Sequence, residues 1–390
     1  MSLQADVDQL LSAAVDRGEV PGVIAMATDG RDILYQGAFG KREIGGEASM
    51  TVDTVCWIHS MTKAITATCL MQLVEQGRIG LDDDTGKILP AHAEPKVLEG
   101  FDGEGKPQLR PARGAITLRR LLTHTAGFVY DTWNANLLRY MTETRVSRSE
   151  SFERPDKCLP LGFDPGTRWE YGINLEWAGK VLEAITGDTL DAYMQKNVLQ
   201  PLGMLSTGYL LRPEIMDRLS GVHQRHGDGR LEAVTFNPPQ RQKDFLGGGG
   251  LYGSAPDYIR FIRMLMGGGT LDGVQILKPE TVALMEQNHI GEIDVRVLNS
   301  ARPEQSNVVD LFPGQRLKWG LSFMINTEDV PGRRKAGTLS WAGLRNTYFW
   351  IDPQTGVGGT IMAQLLPFAD PIVLGLYDGF ERAVFASRAS

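Results

Sequence analysis

The sequence predicts an α/β fold in which one sheet is assembled from both ends of the chain around a mainly helical insertion. Strand-like runs occur near the amino terminus and again toward the carboxyl terminus, and the loop-rich segment between them shows helical patches. At 390 residues the chain also exceeds the length at which one compact core usually stops growing. We therefore predict a discontinuous sheet domain over residues 1–80 and 245–390 and an inserted domain over residues 81–244.

The amino-terminal elements are a helix and a hairpin. Apolar residues recur at helical spacing from Val7 to Val15, which predicts an amphipathic helix. Two β-like runs follow at residues 22–28 and 33–39, and the turn signal Asp29-Gly30 separates them. These runs predict a β-hairpin.

Helical patterns dominate the middle of the chain. The run over residues 60–77 places apolar side chains on one face and ends at Gly77, a residue suited to stop a helix. Further helices are expected at residues 118–122, 175–185 and 256–266. The sheet is then completed by β-like runs at residues 320–326, 346–351 and 357–366. A last amphipathic helix, suited to cover that sheet, is expected over residues 371–386.

Composition and charge exclude several classes of protein. The 40 basic and 47 acidic residues give a net charge of -7 without a lysine- or arginine-rich block, so no nucleic-acid partner is expected. No run of about 18 apolar residues occurs, and the amino terminus lacks the features of a signal peptide. We therefore expect no membrane association and a cytoplasmic location. Three cysteines without metal-like spacing, Cys56, Cys69 and Cys158, fit buried thiols in a reducing compartment.

The chemistry concentrates in Ser60-Met-Thr-Lys63, an S-x-x-K sequence at the start of a predicted helix. Residues i and i+3 share a helical face, so the amine of Lys63 can reach the hydroxyl of Ser60. A serine hydroxyl needs a neighbouring base to become a nucleophile, and both burial and the helix amino terminus favour a neutral lysine. The pair predicts nucleophilic catalysis by Ser60, although S-x-x-K alone arises often by chance.

Four further blocks accompany the S-x-x-K sequence. They are Leu121-Leu-Thr-His-Thr-Ala-Gly127, Pro165-Gly-Thr-Arg-Trp-Glu-Tyr171, Pro201-Leu-Gly-Met204 and Gly248-Gly-Gly-Leu-Tyr-Gly-Ser254. In this order they resemble the class C β-lactamase and penicillin-binding-protein superfamily over nearly the whole chain, and most closely its esterase branch, the family VIII carboxylesterases. The resemblance implies a β-lactamase-like fold with an antiparallel sheet flanked by helices, a mainly helical inserted domain and an active site between them.

The resemblance also implies roles for three residues. In that family the serine and lysine of S-x-x-K are the nucleophile and its partner, which map onto Ser60 and Lys63. The tyrosine that follows the P-G-x-x-W/F-x block is the second proton-transfer group, and it maps onto Tyr171. A lysine nearby would favour phenolate character in this tyrosine, which would withdraw the serine proton and return it to the leaving alcohol.

Two departures from the β-lactamase pattern are informative. Ile173 takes the position of the asparagine that follows the tyrosine in class C enzymes, so an amide donor is missing. Trp341-Ala-Gly343 replaces their Lys-Thr-Gly, and an indole there favours a neutral, apolar acyl or alcohol group. The resemblance then implies that Trp341 and Gly343 line the substrate site and that the amides of Ser60 and Leu344 form the oxyanion hole.

Other signals carry less weight. Residues 248–253 satisfy G-x-G-x-x-G, but without a βαβ unit around them no dinucleotide site is expected. His223 and His226 lie too close together in a predicted loop to suggest a metal site, and we interpret His124 as structural. The absence of G-x-S-x-G excludes the nucleophile elbow of the α/β-hydrolases. We predict neither a metal nor an organic cofactor.

These residues predict a serine carboxylesterase in which an ester acylates Ser60, the alcohol leaves and water releases the acid. The expected partner is a small-molecule ester with a short or compact acyl group. An acyltransferase, a weak β-lactamase and a D-stereospecific peptidase or amidase are alternatives within the same fold. A non-catalytic penicillin-binding-like protein is an alternative of another class, which the intact Ser60, Lys63 and Tyr171 disfavour.

Overall fold

The computed structural model describes residues 2–154, 157–235, 240 and 244–389. Within those residues the strands are β1 (Gly22–Thr28), β2 (Ile33–Gly40), β3 (Val55–Trp57), β4 (Lys96–Phe101), β5 (Pro107–Pro111), β6 (Val222–Arg225), β7 (Leu231–Val234), β8 (Tyr252–Ser254), β9 (Thr270–Leu271), β10 (Val274–Gln275), β11 (Leu317–Trp319), β12 (Met324–Asn326), β13 (Leu339–Gly343), β14 (Thr347–Asp352), β15 (Val357–Met362) and β16 (Leu365–Leu366). The α-helices are α1 (Leu3–Asp16), α2 (Thr62–Glu75), α3 (Leu118–Leu122), α4 (Ala135–Thr144), α5 (Arg148–Glu153), α6 (Asn174–Thr186), α7 (Leu190–Met194), α8 (Pro213–Met216), α9 (Ala255–Met266), α10 (Pro279–Met285) and α11 (Pro371–Ala389).

The main sheet has seven antiparallel strands in the order β11-β12-β13-β14-β15-β1-β2. Its strands come from residues 22–40 and 317–362, so both ends of the chain contribute to one sheet. β1 is buried along its whole length because strands pair with it on both sides and helices cover the sheet. The predicted α/β fold with an antiparallel sheet flanked by helices is confirmed.

Helices cover the two faces of this sheet. A side chain at Gly358 would meet Ile262 of α9, whereas a side chain at Gly359 would meet Trp350. The Trp350 ring in turn lies 5.3 Å from Phe380 of α11. Because successive residues of a strand point to opposite faces, α9 and α11 lie on opposite sides of the sheet. α1 packs beside α11.

α2 is a central helix that is buried all round. Every residue from Thr62 to Met71 is buried, so the expectation of a single apolar face is wrong. Polar residues are tolerated there because their hydroxyls are bonded: Thr66 donates to a carbonyl at 2.7 Å and Thr68 to another at 3.0 Å. The helix ends before Gly77, whose φ of 67° fits its predicted role as a stop.

Most of the other predicted elements are present. The β1–β2 hairpin and the helices α1, α3, α6, α9 and α11 follow the predicted positions to within a few residues. The predicted strand over residues 320–326 is shorter, since only β12 is extended. The predicted run over residues 357–366 is broken into β15 and β16 near Gln364, which has a φ of 52°.

The insertion over residues 81–244 contains more strand than predicted. It carries α3 to α8, but also the ribbons β4–β5 and β6–β7, and β16 adds to β6 in parallel. These strands are short and partly exposed, so they lack the apolar alternation by which strands are identified in a sequence. Residues 155–156, 236–239 and 241–243 of this range lie outside the described residues. The division into two domains stays a prediction.

Candidate active site

Ser60 lies where a short strand runs into the central helix. β3 pairs with β8, and residues 59–61 then form a 3-10 turn that continues into α2. His59 in this turn has a φ of 44°, in the left-handed region that residues with side chains seldom adopt. Its ring stacks on Trp57 with a centroid distance of 4.1 Å. The stacked ring and the constrained backbone together present the half-buried Ser60 at the start of the helix.

Lys63 is the hydrogen-bonding centre of the site. Its side chain is fully buried, and its Nζ donates to the Oγ of Ser60 at 3.1 Å. The same Nζ donates to the hydroxyl of Tyr130 at 3.0 Å and to the carbonyl oxygen of Gly248 at 2.6 Å. The structure therefore brings Ser60 and Lys63 together, as their spacing along one helical face predicts.

The surroundings of Lys63 make it less basic than an ordinary lysine. Burial lowers its pKa from 10.5 to about 8, while Glu176 raises and Arg148 lowers the pKa to a smaller extent. With this pKa, roughly a tenth of the molecules carry a neutral lysine at about pH 7. The amine that contacts Ser60 can therefore accept a proton near neutral pH.

Tyr171 is buried beside this pair. Its hydroxyl accepts a hydrogen bond from Nε1 of Trp341 at 3.0 Å and is hydrogen-bonded to Ser60. The Nζ of Lys63 lies 4.8 Å from the centre of the Tyr171 ring. Burial raises the pKa of Tyr171, and the hydrogen bonds with Ser60 and Trp341 lower it only in part. Burial thus opposes the phenolate character that the sequence predicts, so Tyr171 is a neutral phenol near pH 7.

β13 and the turn after it carry the remaining predicted site residues. Trp341 is buried on this strand in contact with Tyr171. Gly343 ends the strand against the backbone before Ser60, where a Cβ would lie only 2.3 Å from the carbonyl oxygen of Ile58. Glycine is required for such a close approach. Leu344 begins the turn between β13 and β14, so its backbone amide comes immediately after the residue that contacts Ile58.

Two residues that the sequence analysis missed extend the network. The hydroxyl of Tyr130, which accepts from Lys63, donates to Oε1 of Glu176 at 2.5 Å. Glu176 lies in the first turn of α6 and is 7% exposed. No sequence pattern distinguishes it from an acidic residue that merely complements a helix amino terminus. Tyr130 follows the block that ends at Gly127 but is not part of it.

The amide of Asn174 does not replace the missing asparagine at position 173. Its Nδ2 contacts Nδ1 of His124 at 3.0 Å and donates to the carbonyl oxygen of Phe128 at 3.0 Å. Burial lowers the pKa of His124, and Lys63 lowers it further, so this ring is neutral. His124 also lies 4.6 Å from the ring of Tyr171. These contacts support the structural role predicted for His124.

A mainly apolar cavity of about 230 Å³ is lined by Trp57, which precedes the turn that carries Ser60 by two residues. One wall is Trp57, whose indole donates to the carbonyl oxygen of Gly249 at 2.8 Å. The backbone of Trp57 is held by the Gln364 amide, which accepts from its N–H at 3.0 Å and donates to its carbonyl at 3.1 Å. The other walls are formed by Phe152, Tyr209, Phe245, Leu246 and Gly250, together with the polar or charged Ser149, Lys180 and Asp244. Such a lining suits an apolar group.

The remaining sequence signals have structural explanations. Gly248 serves the site through its carbonyl, and a Cβ there would lie 2.1 Å from a carboxylate oxygen of Glu176. His223 accepts a hydrogen bond from a backbone amide at 3.2 Å, and His226 contacts Glu232 at 2.9 Å. In the part of the chain that the structure describes, no group of His, Cys, Asp or Glu residues is arranged to hold a metal ion.

Known proteins resemble this chain in sequence and in fold. The beta-lactamase family model matches residues 7–377. The chain is 33% identical over 391 residues to the monacolin J acid methylbutanoyltransferase of Aspergillus terreus, covering 96% of this chain and 93% of that protein. It is 30% identical to the lovastatin esterase of Penicillium rubens, covering 97% and 98%. The solved structure of unliganded simvastatin synthase (LovD) from Aspergillus terreus matches with a TM-score of 0.86, 31% identity and 100% coverage of both chains.

The fold and the family to which the sequence matches define an enzyme of the serine hydrolase and acyltransferase type. The chain belongs to the beta-lactamase family, within which its relatives act on small molecules as acyltransferases and an esterase. Across residues 2–154, 157–235 and 244–389, no helix is both long enough and apolar enough to cross a membrane.

Proposed function

We propose that this protein cleaves carboxylic esters with compact acyl groups through a Ser60 acyl-enzyme, as in the family VIII carboxylesterases. The observation that carries the proposal is the 3.1 Å contact between Ser60 Oγ and the amine of Lys63. Burial brings the pKa of that amine to about 8. A general base is most effective when its pKa lies near the working pH, because a useful fraction of it is then unprotonated and it still binds a proton strongly.

Acylation begins when the neutral amine of Lys63 takes the proton of Ser60 and the serine oxygen attacks the ester carbonyl. Negative charge then develops on the carbonyl oxygen, where we place the amides of Ser60 and Leu344 as donors. One such donor contributes about 3 kcal/mol to transition-state stabilisation in other serine enzymes. The close approach of Gly343 to Ile58 supports this placement, since it brings the turn at Leu344 next to the serine.

Tyr171 is the proposed acid for the leaving alcohol. Because burial raises its pKa, the phenol carries a proton that it can donate to the departing oxygen. The proton held by Lys63 then restores the phenol. In the second half-reaction, water attacks the acyl-enzyme, and the same groups return the proton to Ser60 as the acid leaves.

The apolar surroundings support an ester with neutral, apolar groups on both sides of the bond. Trp341 occupies the position of a lysine that pairs with a carboxylate in β-lactamases, and its indole is already bonded to Tyr171. The cavity beside Trp57 has aromatic walls suited to an apolar group. The similarity to a lovastatin esterase supports the same substrate class.

Acyl transfer to an alcohol is the second candidate function. The similarity to a methylbutanoyltransferase over 96% of the chain favours it specifically. Both reactions share the Ser60 acyl-enzyme and differ only in whether water or an alcohol accepts the acyl group. Product analysis with increasing concentrations of an added alcohol separates them, since a transferase yields new ester at the expense of free acid.

The test compares the wild-type protein with Ser60→Ala on a chromogenic short-chain ester and on a chromogenic cephalosporin, with circular dichroism to verify that both are folded. Ester turnover that disappears in Ser60→Ala, with little cephalosporin cleavage, is the expected result. Equal ester turnover in both proteins would contradict Ser60 as nucleophile. Fast cephalosporin cleavage would instead indicate a β-lactamase.

A further inference from the structure

A chain of hydrogen bonds leads from Ser60 to a buried carboxylate. Lys63 donates to the hydroxyl of Tyr130 at 3.0 Å, and that hydroxyl donates to Oε1 of Glu176 at 2.5 Å. The second distance is typical of a hydroxyl bonded to a charged oxygen. A tyrosine hydroxyl has a single proton, so donating it to Glu176 turns the oxygen lone pairs toward Lys63. The carboxylate therefore reaches the lysine through Tyr130.

Glu176 lies in a buried environment that is energetically unfavourable for a carboxylate. It is 7% exposed, and within the described residues its Oε2 has no hydrogen-bond partner. The chain makes room for it at Gly248, where a Cβ would lie 2.1 Å from Oε2. A buried carboxylate with an unsatisfied oxygen is unfavourable, and a packed apolar side chain would serve stability better. A role in the chemistry of the site accounts for the charge.

We propose that Glu176 is a positioning residue that sets the protonation of Lys63 through the hydroxyl of Tyr130. The inference rests on the proposed function, in which Lys63 is the base for Ser60. In this arrangement Tyr130 contacts the lysine directly, and Glu176 acts on the lysine through Tyr130. Glu176 offsets part of the basicity that the amine loses on burial, so the amine can still remove the serine proton.

Comparison of the groups that face Lys63 identifies Glu176 as the charged group that raises its pKa. The titratable and charged groups around the amine are Glu176, Tyr130, Tyr171, His59, His124 and Arg148. Burial lowers the pKa of both histidines and raises the pKa of both tyrosines, so these four are neutral near pH 7. Of the two charged groups, Arg148 lowers the pKa of Lys63 and Glu176 raises it.

The experiment measures the rate of Ser60 acylation by a p-nitrophenyl ester as a function of pH, read at a wavelength where nitrophenol absorbs equally in both forms. In the wild type the acylation rate should rise with pH as Lys63 loses its proton, and this rising part of the profile is its acid limb. In Glu176→Gln the acid limb should move to lower pH by about 1 unit or more. The plateau should also fall, because a less basic amine removes the serine proton less effectively. Intact mass verifies that the acyl group is on the protein.

Tyr130→Phe tests the route. It removes the hydroxyl that links the two groups, so its acid limb should move in the same direction as that of Glu176→Gln. In the double variant the shift of the acid limb should be smaller than the sum of the shifts in the two single variants, because both changes break the same connection. Independent, fully additive shifts would overturn the role of Tyr130 as the link.

Glu183→Gln is the matched control, since Glu183 lies on the same helix and bonds to Lys180 at 3.0 Å and to the amide of Leu190 at 2.9 Å. Its acid limb should stay at the wild-type position. An unchanged limb in folded Glu176→Gln, or an equal shift in Glu183→Gln, would overturn the inference while the proposed function stands. Failure of the wild-type protein to acylate would overturn the proposed function itself.

Discussion

Trp341 donates its indole N–H to the hydroxyl of Tyr171 at 3.0 Å. Both side chains are nearly completely buried, so this hydrogen bond is shielded from water. The residue that departs most clearly from the β-lactamase pattern thus contacts the proposed proton donor directly. We therefore propose that the indole orients the phenol toward Ser60.

Trp341→Phe should therefore slow the reaction. The change keeps an aromatic ring but removes the hydrogen bond to Tyr171, and a neutral hydrogen bond contributes about 1 kcal/mol, so kcat for a short-chain ester should fall roughly fivefold to tenfold. Trp350→Phe is the control, because Trp350 is buried in the same sheet and its Nε1 has no partner among the described residues. Equal kcat values for wild type and Trp341→Phe would contradict the role in orientation.

Local patterns predict much of the structure around Ser60. The S-x-x-K spacing needs only the geometry of one helical turn, and the 3.1 Å contact between Ser60 and Lys63 follows from it. The β1–β2 hairpin likewise follows from two β-like runs and one turn signal. The positions of Tyr171 and Trp341 in the site required a resemblance between whole sequences, because they lie 170 positions apart.

The residues that sequence reasoning missed act over long separations. Tyr130 contacts Lys63 across 67 positions, and Gln364 holds Trp57 across 307 positions. Neither residue has a local pattern that predicts such a partner. The burial of α2 has a similar origin, since tertiary packing around a helix that contains three threonines and a lysine hides faces that look polar in the sequence.

Gly343→Ala should damage both the fold and the site. The new Cβ would lie 2.3 Å from the carbonyl oxygen of Ile58 and 2.3 Å from Oγ1 of Thr347, so the strand must shift away from the serine segment. Overpacking of this kind costs about 1–3 kcal/mol, and the displaced turn at Leu344 should reduce ester turnover by about 100-fold or more. Urea unfolding and kcat measure the two effects.

Gly375→Ala is the control for that change. Gly375 lies in α11, where an added Cβ meets no atom within 4 Å. Alanine in a helix interior is more favourable than glycine by about 0.5–1 kcal/mol, so this variant should be more stable and equally active. Full activity in Gly343→Ala would exclude the proposed oxyanion hole at Leu344.

The pH dependence of ester cleavage should report the titration of Lys63. Since the neutral amine is the proposed base and its pKa is about 8, kcat/KM should rise with pH and reach half of its plateau near about pH 8. Burial raises the pKa of Tyr171, so loss of its proton should not lower the rate in this range. A profile that is flat from about pH 6 to about pH 9 would contradict Lys63 as the titrating base.

Lys63 should also make the stability of the protein depend on pH. Its pKa is 10.5 in the ordinary state and about 8 when buried, so between these values the unfolded chain binds more protons than the folded one. The free energy of unfolding therefore rises with pH in this window. Below about pH 8, burial of the charged lysine lowers the free energy of unfolding by the full amount of about 3 kcal/mol.

Lys63→Met removes this titration. The unfolding free energy of the wild type relative to Lys63→Met, measured in urea, should increase by about 2 kcal/mol from about pH 7 to about pH 10. Because the comparison cancels the other groups that titrate in this range, parallel pH curves for the two proteins would show that the pKa of Lys63 is not lowered in the folded state.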